Sequence, residues 1–432
     1  MARSKKRTVF LHASVIEGGG DVRRDATVVV EGSRIASVSE GGADAVRAVD
    51  DETIDLAGKT LMPGLITTHF HATFSDLQMQ RVQIGTEKPP AYLALVAARN
   101  YERTLHAGFT GAASAGGPCD IDAQLKMAID DGLTVGPRIL AGSHALVTTG
   151  DSTTLGDWWW DMRNPGGYLS CDGPEDFRKA VRREILRGAE IIKIFPTGGH
   201  GLIQPSNVRG LSPEELHIIV QSAHERGKKV RAHASWKGMI LECIAAGVDV
   251  IDHGDELDGE CIDAMAAAGT FLVPSMLFLR NLLADVEGKD SGLARSLAPV
   301  RAEYESMRRW LPVANAAGVK ICIGDDYGAK LLPHGDYAKE LAFYVGECGI
   351  AAADVLRWAT VHGAALMGLA GKTGVVAPGA YADLLVVDGD PLSNVAVLED
   401  RSKLLAILKG GTFVKDELRG RPARGTAQVA AG

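Results

Sequence analysis

The stretch that decides the fold reads Leu61-Met62-Pro63-Gly64-Leu65-Ile66-Thr67-Thr68-His69-Phe70-His71. The residues directly after the Pro-Gly pair are all apolar or β-branched, which is typical of a buried strand. Side chains two positions apart on a strand point to the same side, so both imidazoles can reach one metal ion. The pair is a weak signal alone. At the end of such a strand it indicates two metal ligands, His69 and His71.

Outward from this strand, the chain between residues 61 and 376 alternates short apolar runs with helical patterns. This alternation is typical of βαβ units and a parallel sheet. The predicted strands end near Thr68, Ser114, Ala141, Phe195, His233, His253, Pro274 and Gly324. They predict an α/β protein with a (β/α)₈ TIM barrel over residues 61–376.

The two ends of the chain have a different pattern. Residues 27–32 and 34–38 are β-like and flank a Gly-Ser turn, which is a hairpin signal, and similar runs return near the C-terminus. We therefore expect residues 1–60 and 377–417 to form one small β-sandwich made from both termini. Residues 418–432 are rich in Arg, Gly and Ala, and we expect a flexible tail there.

Composition narrows the classes of function. The 432 residues carry a net charge of −8 and no face rich in Lys and Arg, which argues against a nucleic-acid partner. The six cysteines form no CxxC pair, which favours reduced thiols over disulfides or a zinc knuckle. The basic start at 1–7 leads into a short run with His12 instead of a signal-peptide core, and no apolar run is long enough to span a membrane. We expect a cytoplasmic protein that acts on a small molecule.

Further polar residues stand where other predicted strands end. Lys193 lies inside the otherwise apolar run 190–195, while His233 and His253 each end a strand and Asp326 follows one. The C-terminal ends of the strands form the active face of a (β/α)₈ barrel, so these side chains should converge there with His69 and His71.

These motifs together resemble the amidohydrolase superfamily over nearly the whole chain. The matching marks are Pro63-Gly64 through His71, Lys193, His233, His253-Gly254, Gly324-Asp325-Asp326 and the closing segment 374–384. Within it, the chain is most similar to the branch of imidazolonepropionase-like proteins and Xaa-Pro dipeptidases. That likeness rests on Pro196-Thr197-Gly198-Gly199, on Ser212-Pro213-Glu214-Glu215-Leu216 and on Ala232-His233-Ala234.

The resemblance implies a binuclear centre of two divalent ions, usually Zn²⁺. It assigns His69 and His71 to the buried ion, and His233 and His253 to the other. An N6-carboxylated Lys193 would bridge both ions, and Asp326 would ligate the first ion and serve as the catalytic general base. Elementary electrostatics agrees, because an ammonium group beside two dications is disfavoured, whereas a carbamate offers two anionic oxygens. The donor set also accepts Mn²⁺, Fe²⁺ or Co²⁺.

Each assignment has a structural alternative. A single histidine is more often structural than a ligand, and a lysine on a strand can extend its ammonium group to solvent. Asp325 could compete with Asp326 because it is the adjacent residue, but the family pattern is Gly-Thr-Asp and Asp325 replaces its threonine, so Asp326 keeps the aligned position. The joint placement of the polar residues at strand ends favours the ligand assignments.

Five residues are candidates for substrate contact. They are His144, His200, Arg209, Trp236 and His334. Arg209 could hold a substrate carboxylate with two hydrogen bonds. Trp236 departs from the tyrosine that dipeptidase-like members tend to have after the strand-five histidine. Residues 149–151 likewise replace their Gly-Gly-His. The run Trp158-Trp159-Trp160 could wall the site, or could be a packed loop or a subunit contact.

The predicted reaction is hydrolysis of an amide-type C–N bond in an N-acyl amino acid, a dipeptide or an aryl amide. Ester, lactone or carbamate hydrolysis at the same centre is the alternative chemistry. A mononuclear deaminase would normally lack Lys193 and carry a glutamate beside the strand-five histidine. A non-catalytic scaffold should have lost ligands, yet all six are present. We expect a homo-oligomer, since such enzymes commonly form one.

Overall fold

The structure, a computed structural model, describes residues 7–41, 51–75, 84–150, 166–200, 205–287 and 297–419. The chain divides into two compact units. The first comprises Met1–Ile66, Thr104–Gly111 and Ile350–Gly432, and the second comprises Thr67–Arg103 and Ala112–Gly349. The run Trp158-Trp159-Trp160 and most of the predicted tail lie outside the described residues.

Both termini contribute strands to one sheet in the first unit. The strands are β1 (Arg7–Ile16), β2 (Val22–Glu31), β3 (Arg34–Glu40), β4 (Glu52–Asp55), β5 (Thr60–Pro63), β16 (Leu384–Val387), β17 (Leu404–Lys409) and β18 (Thr412–Asp416). Their order is β18-β17-β16-β5-β1-β2-β3, with β4 parallel to β1. A single apolar cluster joins N-terminal residues such as Phe10 and Val28 to C-terminal ones such as Leu384 and Leu408. Burial of this cluster ties the two ends of the chain together.

A parallel sheet dominates the second unit. Its strands are β9 (Gly142–Val147), β10 (Tyr168–Ser170), β11 (Ile191–Ile194), β12 (Lys229–Ala234), β13 (Val250–His253), β14 (Phe271–Val273) and β15 (Lys320–Ile321). Their order is β10-β9-β11-β12-β13-β14-β15, and every pair is parallel. A further sheet contains β6 (Leu65–Phe70), β7 (Phe109–Ser114) and β8 (Arg138–Leu140). The α/β class with a parallel sheet, predicted from the alternation, is confirmed.

Helices separate most of these parallel strands, as βαβ units require. They are α1 (Pro90–His106), α2 (Ile121–Asp130), α3 (Gly173–Leu186), α4 (Pro213–His224), α5 (Lys237–Ala246), α6 (Gly259–Ala268), α7 (Met276–Val286), α8 (Ala298–Ala316), α9 (Ala338–Gly346), α10 (Ala352–Arg357) and α11 (Gly363–Leu366). A capping box opens α4, because Ser212 accepts from the Glu215 amide and the Glu215 side chain accepts from the Ser212 amide. None of the helices among the described residues is long and apolar enough to cross a membrane.

The segment that follows β15 runs against β6. The Thr68 amide and hydroxyl both donate to the Ile323 carbonyl, at 2.8 and 2.7 Å. Next in the chain, Gly324 has φ +152°, and a Cβ there would lie 2.1 Å from the His69 amide nitrogen. Only glycine permits so close a backbone approach. This contact brings the carboxyl end of β15 beside the histidines of β6, which sets the position of Asp326.

Candidate metal centre

One pocket gathers the side chains that the motifs single out. Its lining includes all six predicted ligands, which are His69, His71, Lys193, His233, His253 and Asp326. They come from the carboxyl ends of β6, β11, β12 and β13 and from the loop after β15. The pocket measures about 590 Å³, counting the open space at its mouth. The parallel strands therefore bring together residues that lie as much as 257 positions apart, the separation of His69 from Asp326.

The first donor cluster contains His69, His71 and Asp326. Oδ1 of Asp326 lies 3.2 Å from Nε2 of His69 and 3.3 Å from Nε2 of His71. On its other side, Nδ1 of His71 lies 2.9 Å from the Gly116 carbonyl, which fixes the ring and leaves Nε2 for the cluster. A metal-binding histidine commonly has such an outer partner. Two imidazoles and a carboxylate suit a divalent first-row ion.

Two further histidines offer nitrogens without a hydrogen-bond partner among the residues that the structure describes. Nε2 of His233 and Nδ1 of His253 are buried and form no hydrogen bond within the described part of the chain. An unsatisfied buried polar group costs about 1–3 kcal/mol, so such atoms call for a ligand. The His253 backbone also has φ +73°, a left-handed conformation that is strained for a non-glycine residue. These features fit the second metal-binding position.

The protonation states suit metal binding. Burial, followed by the charge of Lys193, lowers the pKa of His233 to about 3. Burial also lowers the pKa of His71 and, strongly, that of His253. Burial alone would raise the pKa of Asp326, but His69 and His71 bring it well below its usual range. At neutral pH these three imidazoles keep their lone pairs and Asp326 is a carboxylate.

Lys193 is buried beside an ion pair that the motifs do not reveal. Its Nζ donates to Asp252 at 2.6 Å, and Arg231 donates to both oxygens of Asp252, at 2.9 and 2.5 Å. Burial lowers the pKa of Lys193, Asp252 opposes that shift and Arg231 adds to it. The net effect is a pKa of the Lys193 ammonium group below its usual value. Arg231 could have been noticed from sequence, since it stands two positions before His233 and so shares its side of β12.

Residues 60–414 match the sequence model of the Amidohydrolase family. The chain belongs to this family. Ochratoxinase from Aspergillus niger is 29% identical over 428 residues, covering 95% of this chain and 87% of that protein. Imidazolonepropionase from Cutibacterium acnes is 26% identical over 420 residues, covering 91% of each. A prolidase solved in complex with N-methylphosphonate-L-proline is 29% identical, with a TM-score of 0.84 over 95% of this chain and all of that one. The predicted resemblance is confirmed, as is the class of enzyme, a hydrolase of carbon–nitrogen bonds.

Of the five predicted substrate contacts, His200 is the one that lines the pocket within the described ranges. Arg209 instead forms two hydrogen bonds to Glu242, at 2.8 and 2.7 Å, and a third to the Leu211 carbonyl. The guanidinium of Arg209 is therefore already bound by a protein carboxylate. Trp236 immediately precedes α5, and its ring lies against Gly238.

His144 and His334 both have structural partners in this amidohydrolase. Nδ1 of His144 lies 2.8 Å from Glu184, and its Nε2 accepts from the Cys119 amide. The donor atoms of His144, Glu184 and Asp120 lie within 4.8 Å of one another, but Arg187 already pairs with Asp120 at 3.3 Å. His334 places Nδ1 2.9 Å from the Tyr337 hydroxyl and Nε2 3.3 Å from the His71 carbonyl. Both histidines thus have protein partners on each ring nitrogen.

Apart from His200 and the six predicted ligands, the other described residues of the pocket wall are apolar or aromatic. They are Phe74, Ile84, Tyr168, Phe195, Phe278 and Ala329. Phe74 stacks on His71 with ring centroids 4.3 Å apart, and Phe195 stacks on His233 at 4.7 Å. No arginine lines the pocket in the part of the chain that the structure describes. The described wall favours an apolar or aromatic group beside the histidines.

Proposed function

We propose that this amidohydrolase hydrolyses an amide-type C–N bond in a small, partly aromatic molecule by means of a binuclear metal centre. The proposed ligands are His69, His71 and Asp326 for one ion, His233 and His253 for the other, and N6-carboxylated Lys193 between them. The main support is that His233 and His253 each have a buried ring nitrogen with no partner in the described part of the chain, and that both residues line the same pocket as the first donor cluster. When bound, two divalent ions, of which Zn²⁺ is the expected one, activate water and polarise the carbonyl group.

Asp326 is the proposed proton carrier. Its side chain is 25% exposed, against 1% for His69, so it can reach both the ligand cluster and a substrate. As a carboxylate, it takes a proton from the attacking water and delivers it to the leaving nitrogen. The neighbouring Asp325 has both oxygens engaged, by the Asp326 and Phe278 amides. Those bonds support a structural role for Asp325, in holding the loop that carries Asp326.

Lys193 is the proposed source of the bridging carbamate. Its neutral amine forms a bond from Nζ to the carbon of carbon dioxide and releases one proton, which leaves two carboxylate oxygens and one N–H. Burial favours the neutral amine, and Asp252, 2.6 Å away, can accept the remaining N–H. The product carries the negative charge that two adjacent cations require.

The fold proposed for this chemistry is a (β/α)₈ barrel over residues 61–376. Support comes from the parallel order of β9–β15 and from the bonds of Thr68 to Ile323, which join the segment after β15 to β6. Residues 1–60 and 377–417 would form the β-sandwich. The first compact unit resumes at Ile350, so α10 and α11 belong with the terminal sheet in the structure.

The proposed substrates are N-acyl amino acids, dipeptides and aryl amides. The aromatic wall supports an apolar group next to the scissile bond. Two similar solved structures, a prolidase and a Xaa-Pro dipeptidase, support dipeptides among these substrates. The engagement of Arg209 by Glu242 argues against that residue as the carboxylate clamp. Lactones, esters and carbamates belong in the same screen, because the centre could also polarise their carbonyl groups.

The test combines metal content with turnover. Protein purified without chelator, from cells supplied with zinc and bicarbonate, should hold about two ions per chain by elemental analysis. Lys193→Ala should lower this content and abolish turnover of the amide panel. Lys320→Ala, at an exposed position of β15, is the matched control and should change neither. Metal-free wild-type protein, or turnover that survives exhaustive chelation, would contradict the proposal.

A further inference from the structure

His200 has a place in the pocket that the motifs do not explain. It follows β11 by six residues, is 3% exposed and lines the pocket beside His233 and His253. Nδ1 of His200 lies 2.8 Å from Oδ1 of Asp255, which is fully buried. The loop after β11 and the loop after β13 thus meet in a histidine–carboxylate pair.

The pairing decides which ring nitrogen faces the pocket. With a carboxylate as its partner, Nδ1 carries a hydrogen, and Nε2 is left as the free position. Nε2 is buried and has no hydrogen-bond partner among the residues described. A histidine whose other nitrogen donates to a carboxylate is the usual arrangement of a metal ligand.

Other candidate metal donors lie close to His200. One donor atom each from His200, His253 and Asp326 lies within 4.8 Å of the others. The His200 ring stacks on the His253 ring, with centroids 3.7 Å apart. Metal binding releases any proton from the nitrogen that binds the ion, so Nε2 of His200 would serve as a donor once an ion is bound.

We propose that His200 is a fifth histidine donor of the centre, bound through Nε2 to the ion that His253 holds, with Asp255 as its outer partner. This inference rests on the binuclear centre of the proposed function. It adds one histidine from the loop after β11 to the six proposed ligands. Asp255 keeps the ring oriented for that role.

Metal affinity is the readout, measured by competition with a chromophoric chelator and zinc. His200→Ala should lower the affinity for the more weakly bound zinc ion by about 10–100-fold or more. Asp255→Asn should lower the same affinity by about 10–100-fold. His224→Ala is the matched control, because His224 forms a similar pair with Asp249 at 2.9 Å but is 43% exposed. It should bind both ions as the wild type does.

X-ray absorption of the zinc-loaded wild type gives an answer that does not depend on whether a variant folds. Five imidazoles shared by two ions support the proposal, and four overturn it. Unchanged zinc affinity in His200→Ala also overturns it, and selective loss of turnover on anionic substrates would then assign His200 to substrate contact. Wild-type protein that binds no zinc contradicts the proposed function itself, whereas two tightly bound ions with four imidazoles contradict the role of His200 alone.

Discussion

The buried ion pair between Arg231 and Asp252, which lies next to Lys193, should contribute strongly to the stability of the parallel sheet. Arg231 is fully buried and donates to Asp252, to the Thr68 carbonyl at 2.8 Å and to the Ser114 carbonyl at 2.7 Å. Removing one partner of a buried pair costs about 3–5 kcal/mol. Each carbonyl that loses its charged donor adds roughly 1 kcal/mol. Arg231→Met should therefore lower the free energy of unfolding by on the order of 5 kcal/mol, a large part of the typical total of about 5–15 kcal/mol.

A double-mutant cycle separates the pair from its surroundings. Asp252→Asn alone removes the carboxylate from both Arg231 and Lys193 and should also destabilise strongly. The double variant R231M/D252N removes both charges, so it should lose less than the sum of the single losses. Arg280→Met is the control, because its pair with Glu347 is 45% and 38% exposed and should contribute less than about 1 kcal/mol.

The assay is guanidinium unfolding of the metal-free proteins, followed by circular dichroism and tryptophan fluorescence. Using metal-free protein keeps metal binding out of the comparison. Two results would refute the reasoning. One is an Arg231→Met variant whose free energy of unfolding lies within about 1 kcal/mol of that of the wild type, a smaller loss than a broken buried pair should cause. The other is a double variant whose loss equals the sum of the two single losses.

Three further predictions concern pH, the pocket wall and the surface. Burial, with Asp325, raises the pKa of Glu340 to about 8 from 4.5, so the folded protein keeps a proton that the unfolded chain has lost. The free energy of unfolding should therefore fall as pH rises from 4.5 to about 8. Glu340→Gln should make this pH dependence shallower in denaturation experiments from about pH 5 to 9, and an unchanged pH dependence would contradict the prediction. Tyr168→Ala should lower kcat/KM about tenfold for aromatic amides and less for aliphatic ones, and equal losses would argue against an aromatic subsite. Arg209→Ala should leave turnover of carboxylate substrates unchanged, because that guanidinium is bound by Glu242, and a raised KM would restore it as a substrate clamp.

Sequence patterns predicted the parallel strands best where apolar runs were long. The strands β11, β12 and β13 end within a residue or so of the predicted Phe195, His233 and His253. The third predicted strand is divided at Ala141 between β8 and β9. The last strand contains only Lys320–Ile321, because the chain then turns away through Gly324 to contact β6. Such a turn depends on a tertiary contact that periodicity does not encode.

The candidate site was predictable to the extent that polar residues interrupt apolar strands. A lysine in the run 190–195 or a histidine at the end of a buried strand is anomalous unless it has a function, so composition alone draws attention to it. The partners of these residues were not predictable. Asp252, Asp255 and Glu242 contact residues between 21 and 59 positions away, and nothing in the local sequence marks those pairings. The assignment of Arg209 to substrate missed its pairing with Glu242 for the same reason.

Asp252 links the stability of the sheet to the chemistry of the centre. It accepts from Arg231 and also from Lys193, so the two cations share one carboxylate. The charge of Arg231 helps to lower the pKa of Lys193. Without Arg231, Lys193 would lose a neighbouring positive charge and would more readily remain an ammonium group, which cannot accept carbon dioxide. The same substitution that weakens the core should therefore also lower the metal content of the folded protein, whereas a purely structural pair would leave that content unchanged.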